Sequence, residues 1–360
     1  MPLAWAGNPD VSSDPASRAV LFTRVLSFRN FSGLPFVVSA PPHVCALVAD
    51  KALEHISKPA KRAGRTVWRL AECPPRVIRL LREREILPLR AASFPGKKGF
   101  KYLASAPDGG AWTLVNEVEH ITSGRIFPGR LDPAAFESLY APPDEGPART
   151  PWAWSGPFGY LASDPSRIGP GLSVESVVHL PGLALSRQLP HARNYLTAAG
   201  VGFLPVGSPS PHSASPGAAD AGLFRLTSRG GLGKTPRQVY ESFLEAVEPV
   251  LRKEREARLR CAEKHHKRLE ERVRQSFRSL AGAATLAFAE LLSAGSLARL
   301  GAALGMLNPQ IPGILEELRI TAASGHLAVT SGRDLSKEEE DITRANVVRL
   351  SLMDHSGEIS

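Results

Sequence analysis

Apolar residues follow two different spacings along the chain, and the change falls near Pro236. Before it, short apolar runs bounded by turn residues predict β-strands. The clearest of these runs are 19–22, 111–115 and 174–180. After it, the spacing becomes helical, and residues 237–307 predict helix interrupted only by Pro249 and by glycines. We therefore expect an α/β domain up to about residue 258 and a helical domain after it.

A short amphipathic helix, opened by proline, is predicted at residues 75–82. Its spacing places Val77, Leu80 and Leu81 on one face and arginines on the other. The helix lies within the most basic window of the chain, 58–102, whose 13 Lys+Arg and 3 Asp+Glu give a net charge of +10. A solvated basic face explains this charge most simply, and a groove for nucleic acid is the alternative. We do not expect nucleic acid as a partner.

The composition is that of an ordinary globular protein, with 360 residues of which 43% are hydrophobic and 22% charged. The longest apolar stretch is interrupted by Glu290 and Arg299, so we expect packed helix and no membrane span. The N-terminus lacks the basic and apolar regions of a signal peptide. Cys45, Cys73 and Cys261 are too far apart for a zinc-binding pair and favour a reducing compartment. These observations predict a cytoplasmic protein.

Three further segments have simple explanations. Residues 205–222 are rich in Pro, Gly and Ser and predict a mobile surface loop. Residues 230–235 are similar to a phosphate-binding loop, but Ser228 stands where that motif needs glycine, so an ordinary helix start is favoured. His265 and His266 are adjacent on a charged helix, where neighbouring side chains point about 100° apart, and cannot chelate one metal.

Glu117, Glu119 and His120 form a candidate site of their own. They follow the strand predicted to end at Val115, and alternation along an extended chain puts both carboxylates on the same side. Two carboxylates and an imidazole suit acid–base or metal chemistry. The spacing by itself favours a structural role for these residues.

Seven segments, taken in order along the chain, carry recognisable motifs. They are 20–30, 81–87, 115–120, 158–181, 226–235, 296–301 and 335–345. The first five resemble motifs of the ATP:guanido phosphotransferases; V-N-E-V-E-H at 115–120, for example, is similar to V-N-E-E-D-H. The last two resemble S-x-x-R-L-G and L-T-x-E-E-R-D-x-x-R-A of the bacterial protein-arginine kinases. The chain is therefore identified as a divergent member of that branch.

The resemblance implies an α/β (α+β) fold, in which an antiparallel sheet flanked by helices precedes an α-helical C-terminal domain. The expected parts are an N-terminal leader at 1–17, a guanido-kinase-like phosphotransferase domain at 18–258, a helical dimerisation and phosphoarginine-binding-like domain at 259–352, and a tail at 353–360. Members of the family transfer the γ-phosphoryl group of Mg·ATP to a guanidinium nitrogen. In the protein-arginine kinases the acceptor is an arginine of another protein, and the modification marks that protein for a Clp protease.

Most positions that the family uses for chemistry carry different residues here. Val118 stands at the position of the catalytic glutamate, and Asp164 at that of the reactive cysteine. The changed positions of the ATP clamp are Leu26, Glu85, Thr122 and Ser173. A guanidinium needs carboxylates to orient it and accept its proton, and a triphosphate needs arginines, so these replacements predict a loss of activity. Arg167, Arg225 and Arg229 lie near the lost positions and are the candidates for compensation.

Other family positions are kept. The remnants of the nucleotide site are Thr23, Arg24, Arg29, Asn116, Glu117, His120 and His179. The phosphoarginine motif keeps Asp341, Arg344 and Ala345, although Glu340 replaces its first arginine. By this resemblance Asp341 can pair with a guanidinium and Arg344 with a phosphate. A helix-capping role for Asp341 is the alternative.

We therefore expect a degenerate protein-arginine-kinase-like protein that acts as a regulator or adapter, with little or no phosphotransfer activity. The alternative is an active kinase with a rearranged site that phosphorylates arginine residues in proteins. Mg·ATP is expected to bind only in the second case. The expected partners are proteins, with the Clp protease system and an arginine-kinase paralogue as candidates, and a second copy of the chain in a homodimer.

Overall fold

Strands are confined to the first two thirds of the described chain, and long helices make up the last third. The computed structural model describes residues 19–62, 64–88, 98–139, 151–206 and 221–353. The strands are β1 (Val20–Arg29), β2 (Thr66–Arg69), β3 (Tyr102–Ser105), β4 (Ala111–Val115), β5 (Ile121–Pro128), β6 (Trp154–Ser155), β7 (Gly159–Tyr160), β8 (Leu172–His179), β9 (Val201–Pro205) and β10 (Leu223–Ser228).

The helices follow the same chain order. They are α1 (Pro42–Arg62), α2 (Pro75–Glu83), α3 (Pro133–Leu139), α4 (Pro181–Leu185), α5 (Leu189–Ala198), α6 (Pro236–Gly282), α7 (Phe288–Ala303), α8 (Ile311–Thr321), α9 (Ser324–Thr330) and α10 (Lys337–Leu352). Among the described residues, no helix is both long and apolar enough to cross a membrane. Most of the loop predicted at 205–222, the leader at 1–17 and most of the tail lie outside the described residues.

β1 is a central strand of an eight-stranded antiparallel sheet. The strand order is β2-β3-β4-β5-β1-β8-β10-β9, so that β1 pairs with β5 on one side and with β8 on the other. Nearly all of its side chains are buried, because both faces of the sheet are covered. β6 and β7 form a separate two-stranded sheet. The predicted fold, an antiparallel sheet flanked by helices and followed by a helical region, is confirmed.

The two faces of the sheet belong to different hydrophobic clusters. On one face, Val25 lies in the cluster that contains Phe243 of α6. On the other face, Leu26 lies in the cluster that contains Leu81 of α2. Successive side chains of a strand point to opposite faces, so adjacent residues of β1 contribute to two cores. The second face is the one that borders the candidate site.

α6 begins with a reciprocal cap at the end of the glycine-rich segment 230–235. The Gln238 N–H donates to the Thr235 hydroxyl oxygen at 3.2 Å, and the Thr235 N–H donates to the Gln238 side-chain oxygen at 2.8 Å. Pro236 occupies the first helical turn, where its missing N–H costs nothing. The segment therefore opens an ordinary helix, the interpretation that its sequence favoured.

The predicted interruption of this helix at Pro249 is wrong. Pro249 lies inside α6 next to Val247 and Val250, which are buried in the sheet core, and this packing outweighs the lost backbone hydrogen bond. The helix instead departs from helical geometry at His265, with φ −134° and ψ 28°. Residues 259–268 are all exposed or half-buried, so no core packing holds that stretch straight. The predicted domain boundary after residue 258 falls at its start and stays a prediction.

The helical region docks on the sheet region through α2. The predicted amphipathic helix is confirmed as α2, and Leu81 is its buried residue. At its end, the Glu83 carboxylate accepts hydrogen bonds from the backbone N–H groups of Gly325, at 2.7 Å, and His326, at 3.1 Å. Gly325 is required by this contact because a Cβ there would lie 2.5 Å from the Leu80 nitrogen.

Replacing Gly325 by alanine therefore tests the docking of α9 on α2. The added methyl group meets backbone that cannot move away, so we expect Gly325→Ala to lower the free energy of unfolding by about 1–3 kcal/mol. Urea denaturation measures this loss. Gly282→Ala is the matched control, because a Cβ there meets no atom within 4 Å. Equal stabilities of the two variants would contradict the docking described here.

Candidate active site

A cleft of about 640 Å³ lies between the second face of the sheet and the helical region. Leu26 and Trp112 of the sheet line one side. Phe288 of α7 and Arg319 of α8 line the other. The positions that the resemblance assigned to catalysis and to the ATP clamp include several on the sheet wall, so this cleft is the candidate active site.

Three arginines from three separate elements converge on one buried carboxylate in the cleft. Glu85 Oε2 lies 2.7 Å from Arg225 Nη2 of β10 and 3.8 Å from Arg24 Nη1 of β1. Glu85 Oε1 lies 3.8 Å from Arg319 Nη1 of α8. Burial by itself would raise the pKa of Glu85, but the three arginines hold it below its usual value. We call Arg24, Arg225, Arg319, Glu85 and Glu175 the arginine cluster.

Glu175 of β8 is the second carboxylate of the arginine cluster. It accepts hydrogen bonds from Arg24 Nε at 3.1 Å and, at still closer range, from Arg24 Nη2. It also lies 3.9 Å from Arg225 Nε. Burial by itself would lower the pKa of Arg24, but Glu175 and Glu85 raise it above its usual value. Both carboxylates therefore pair with arginines of the cluster. Arg319 has a further partner in Glu316, whose Oε1 accepts hydrogen bonds from Arg319 Nε at 3.0 Å and Nη2 at 2.8 Å.

The backbone at Glu85 is in the left-handed region, with φ 60°. This residue directly follows Arg84, the C-cap of α2. A residue in the left-handed conformation at this position is usually glycine. A side chain in this conformation costs on the order of 1–2 kcal/mol. The surrounding arginines offset that cost, because the turn places the Glu85 carboxylate among them.

The replaced family positions mostly face the cleft. The lining includes Leu26, Glu85, Val118 and Thr122, but neither Ser173 nor Asp164. Ser173 is buried in β8, directly across from Leu26 of β1. Asp164 caps the short turn at 165–167 by accepting the Ser166 N–H at 3.0 Å. Glu117 also faces the cleft, where its carboxylate is 2.5 Å from Lys101 Nζ.

Most of the retained family positions hold backbone in place instead. His120 Nδ1 accepts the Phe31 N–H at 2.9 Å, and its Nε2 lies 2.9 Å from the Pro35 carbonyl oxygen. Asn116 Nδ2 donates to the carbonyl oxygens of Cys45, at 2.8 Å, and Phe100, at 2.9 Å. Burial lowers the pKa of His120, which fits the neutral ring that these contacts require.

Three other retained residues have comparable roles. The Thr23 hydroxyl donates to the Gly129 carbonyl oxygen at 2.9 Å. Arg29 Nη1 donates to the Gly171 carbonyl oxygen at 3.0 Å. His179 Nε2 lies 2.8 Å from the Ser296 hydroxyl and so joins β8 to α7. Of the retained residues, only Arg24 and Glu117 line the cleft.

The phosphoarginine-motif remnants lie in the packing of α10. Arg344 is fully buried, and its Nε and Nη1 donate to the carbonyl oxygens of Ala322, at 2.8 Å, and Leu286, at 2.9 Å. Asp341 pairs with Arg344 at 2.5 Å and with Lys337 at 2.8 Å. Arg344 is thus held by the protein's own groups and is not presented to solvent. Ala345 is buried in the same core.

Sequence analysis did not single out two members of the arginine cluster, Glu175 and Arg319. Glu175 leaves one signal in the sequence, because it is the only charged residue in the apolar strand 172–179. Arg319 leaves none, since a basic residue in a helix is normally solvated. Two of the arginines suggested as compensating residues have different surroundings. Arg225 is a member of the arginine cluster, whereas Arg167 lies 3.5 Å from both Glu119 and Asp164.

Comparison with known proteins shows to which protein family the chain belongs. The family model for the ATP:guanido phosphotransferase C-terminal catalytic domain matches residues 50–257, and the model for the protein-arginine kinase McsB C-terminal domain matches 266–359. The chain therefore belongs to the ATP:guanido phosphotransferase family. The interval between the two matches contains His265, where α6 leaves helical geometry.

Two relatives indicate to which branch of this family the chain is similar. A protein-arginine kinase of Halalkalibacterium halodurans is 27% identical over 94% of this chain and 93% of its own. Another, of an Exiguobacterium species, is 30% identical over 66% of this chain and 67% of its own. The resemblance to the protein-arginine kinase branch is thereby confirmed, and the low identities agree with a divergent member.

Solved structures of the family share the fold. The duplicated taurocyamine kinase of Schistosoma mansoni, with bound transition-state-analogue components, matches with a TM-score of 0.54 at 17% identity, covering 70% of this chain and 35% of that one. Lombricine kinase matches with a TM-score of 0.50 at 16% identity, covering 69% and 71%. Among the described residues, no group of three or more His, Cys, Asp or Glu side chains is arranged to hold a metal ion.

Glu85 is expected to stabilise the fold by neutralising buried arginines. Glu85→Gln leaves Arg225 and Arg319 without that charge, so we expect the free energy of unfolding to fall by about 3 kcal/mol. Millimolar pyrophosphate should restore part of the loss by binding the arginines that have lost the Glu85 charge, and should leave the unchanged protein unaffected. Urea denaturation with and without pyrophosphate measures both effects.

The control for this variant is Glu271→Gln, at an exposed position on α6. We expect it to change the stability by no more than about 0.5 kcal/mol and to show no response to pyrophosphate. A Glu85→Gln protein as stable as the original would contradict the role given to the cluster. So would a variant that loses stability but gains nothing from pyrophosphate.

His179 is expected to make the protein sensitive to acid. Burial, together with Arg258 and Arg299, holds its pKa well below the ordinary value of 6.5. The unfolded chain therefore binds the proton first, so this stability is complete above pH 6.5 and is lost as the pH falls below it. At pH 5.5 the loss from this group is about 1.4 kcal/mol.

The measurement compares urea denaturation at pH 7.5 and pH 5.5. His179→Gln can keep a hydrogen bond to Ser296 but cannot be protonated, so its stability should fall less between the two pH values. Titrating carboxylates contribute equally to both proteins and cancel in the difference. Identical pH dependence of the two proteins would show that His179 is not held neutral in the folded state.

Proposed function

We propose that this member of the family is a regulator or adapter with little or no phosphotransfer activity. The observation that carries the proposal is the occupation of the cleft arginines by the protein's own carboxylates. Arg24 and Arg225 are each within 4 Å of Glu85 and Glu175, and Arg319 is within 4 Å of Glu85. These are the side chains that a triphosphate would have to recruit.

The charge balance of the cluster argues against ATP as a ligand. A triphosphate entering the cleft would have to displace two buried carboxylates from their arginines or lie beside them, and like charges at such short range repel strongly in a buried site. Displacement would in turn leave Glu85 buried without a partner, which is costly. The described residues therefore do not fit Mg·ATP.

The carboxylates that would orient and deprotonate the acceptor guanidinium are also replaced or already paired. Val118 lines the cleft where the family motif has its catalytic glutamate, and an isopropyl group cannot take a proton from a guanidinium. The neighbouring Glu117 is already paired with Lys101. Glu119 is buried outside the cleft, where it accepts hydrogen bonds from Asn30, at 2.8 Å, and from the Ser163 hydroxyl, at 2.9 Å.

The proposal extends to location and partners. Family membership supports a role beside protein-arginine phosphorylation in the cytoplasm, with an arginine-kinase paralogue and the Clp protease system as the candidate protein partners. A homodimer through the helical region belongs to the same proposal.

An active arginine kinase with a rearranged site is the second candidate function. One observation favours it: the cleft is lined by five arginines, Arg24, Arg82, Arg167, Arg225 and Arg319. If the carboxylates moved aside on binding, these arginines would form a phosphate clamp of sufficient charge. The two relatives named above, both protein-arginine kinases, support this activity at the level of the family.

A transfer assay separates the two functions. The purified protein is incubated with Mg·ATP labelled in the γ-phosphoryl group and an arginine-rich protein, and acid-labile phosphoarginine is measured. The kinase of Halalkalibacterium halodurans serves as the positive control. With the base and at least one clamp group lost, at about 10² each, we expect a rate at least about 10⁴-fold below the control. Transfer within tenfold of the control would refute the proposal.

A further inference from the structure

A second cavity, of about 810 Å³, lies on α6 around its irregular point and shares no lining residue with the cleft. Six residues with basic side chains line it: Arg187, Arg260, Lys264, His265, Arg268 and Arg272. No Asp or Glu is among the described residues that line it. We call this feature the basic groove. All six of these residues are exposed, so the groove is open to solvent.

One wall of the basic groove is a stripe of like charges along α6. Arg260, Lys264, Arg268 and Arg272 are spaced four residues apart, and all four line the groove, two on each side of the irregular residue His265. Like charges at this spacing repel and destabilise the helix. Among the described residues, Lys264, Arg268 and Arg272 have no carboxylate within 4.0 Å, and Arg260 reaches Glu256 only at that distance. Within the part of the chain that the structure describes, three of the four cations of the stripe therefore have no carboxylate partner.

The opposite wall carries Arg187, which follows α4. Its backbone is in the left-handed region, with φ 59°, a conformation that is uncommon for a residue other than glycine. The Arg187 N–H donates to the Ala184 carbonyl oxygen at 3.1 Å and so fixes this turn. Arg187 therefore forms a second basic wall, and an anionic chain in the groove can contact cations on both sides.

Three apolar residues also line the basic groove, and we call them its floor. Leu185 is 41% exposed and offers apolar surface to a ligand, whereas Ala257 and Leu269 are buried beneath the surface. No Phe, Tyr or Trp is among the described lining residues, so the groove offers no platform on which nucleic-acid bases can stack. The best match is a ligand that carries carboxylates for the walls and aliphatic side chains for the floor.

We propose that the basic groove binds an acidic peptide segment of a partner protein, one that also carries apolar side chains. Arginine guanidinium groups can bind carboxylates in bidentate fashion. The stripe from Arg260 to Arg272 is about 18 Å long at 1.5 Å per residue, which matches five or six residues of extended peptide. The inference does not rest on the proposed function, since an active kinase would need partners as well.

Fluorescence anisotropy tests this with the full-length protein and a fluorescein-labelled peptide, Glu-Leu-Glu-Glu-Leu-Glu. We expect binding that weakens as the salt concentration rises from 50 to 200 mM, because charge pairs supply much of the affinity. Reversing two charges of the stripe in Lys264→Glu/Arg268→Glu should weaken binding at least tenfold. Arg187→Glu, on the other wall, should weaken it several-fold and guards against a folding defect in the first variant.

The matched control is Lys253→Glu/Lys267→Glu, which makes the same change in net charge at exposed positions of α6 outside the groove. It should change the affinity by less than twofold. Absence of binding to the unchanged protein, or equal loss in both double variants, would overturn the proposal. So would binding of inorganic polyphosphate but not of the peptide, which would identify a general polyanion site. The phosphotransfer rate is measured separately and decides nothing about the groove.

Discussion

The ion pairs around Glu85 are the interaction on which the candidate site depends. One carboxylate, at the end of α2, neutralises arginines that arrive from β1, β10 and α8. Without it, Arg225 would keep only Glu175, at 3.9 Å, as a carboxylate partner among the described residues, and a buried cation without a close partner is costly. Two residues earlier, Glu83 binds the backbone of α9. The end of α2 therefore connects the sheet and the helical region in two ways, through the ion pairs of Glu85 and through the hydrogen bonds of Glu83.

Retained and replaced motif residues differ in what they contact. Thr23, Asn116 and His120 make buried hydrogen bonds to backbone, and such groups cannot be lost without leaving polar atoms unsatisfied. Leu26 and Val118 stand at replaced positions that face the cleft. The fold constrains the first group whether or not the protein catalyses a reaction. At the second positions, packing alone is satisfied by an apolar side chain, and only a bound substrate would require the catalytic one. This difference explains how a sequence can keep the signature of a kinase family while its cleft changes character.

Much of the fold could be predicted from the sequence because its signals are local. The strand at 111–115 and the amphipathic helix at 75–82 follow from spacing over a few residues, and the order of the motifs gave the class. The helix break at Pro249 was predicted wrongly because its packing partners, on the sheet, are remote in sequence. The arginine cluster could not be predicted for the same reason: Glu85 and Arg319 are brought together only by the folded chain.

The central claim is that the protein's own carboxylates occupy the place of a phosphate ligand. Calorimetric titration of the purified protein with Mg·ATP tests it most directly, with the kinase of Halalkalibacterium halodurans titrated alongside. We predict no heat beyond dilution up to millimolar nucleotide for this protein and clear binding by the relative. Saturable binding at micromolar Mg·ATP would contradict the account, because it would require arginines that the account assigns to Glu85 and Glu175.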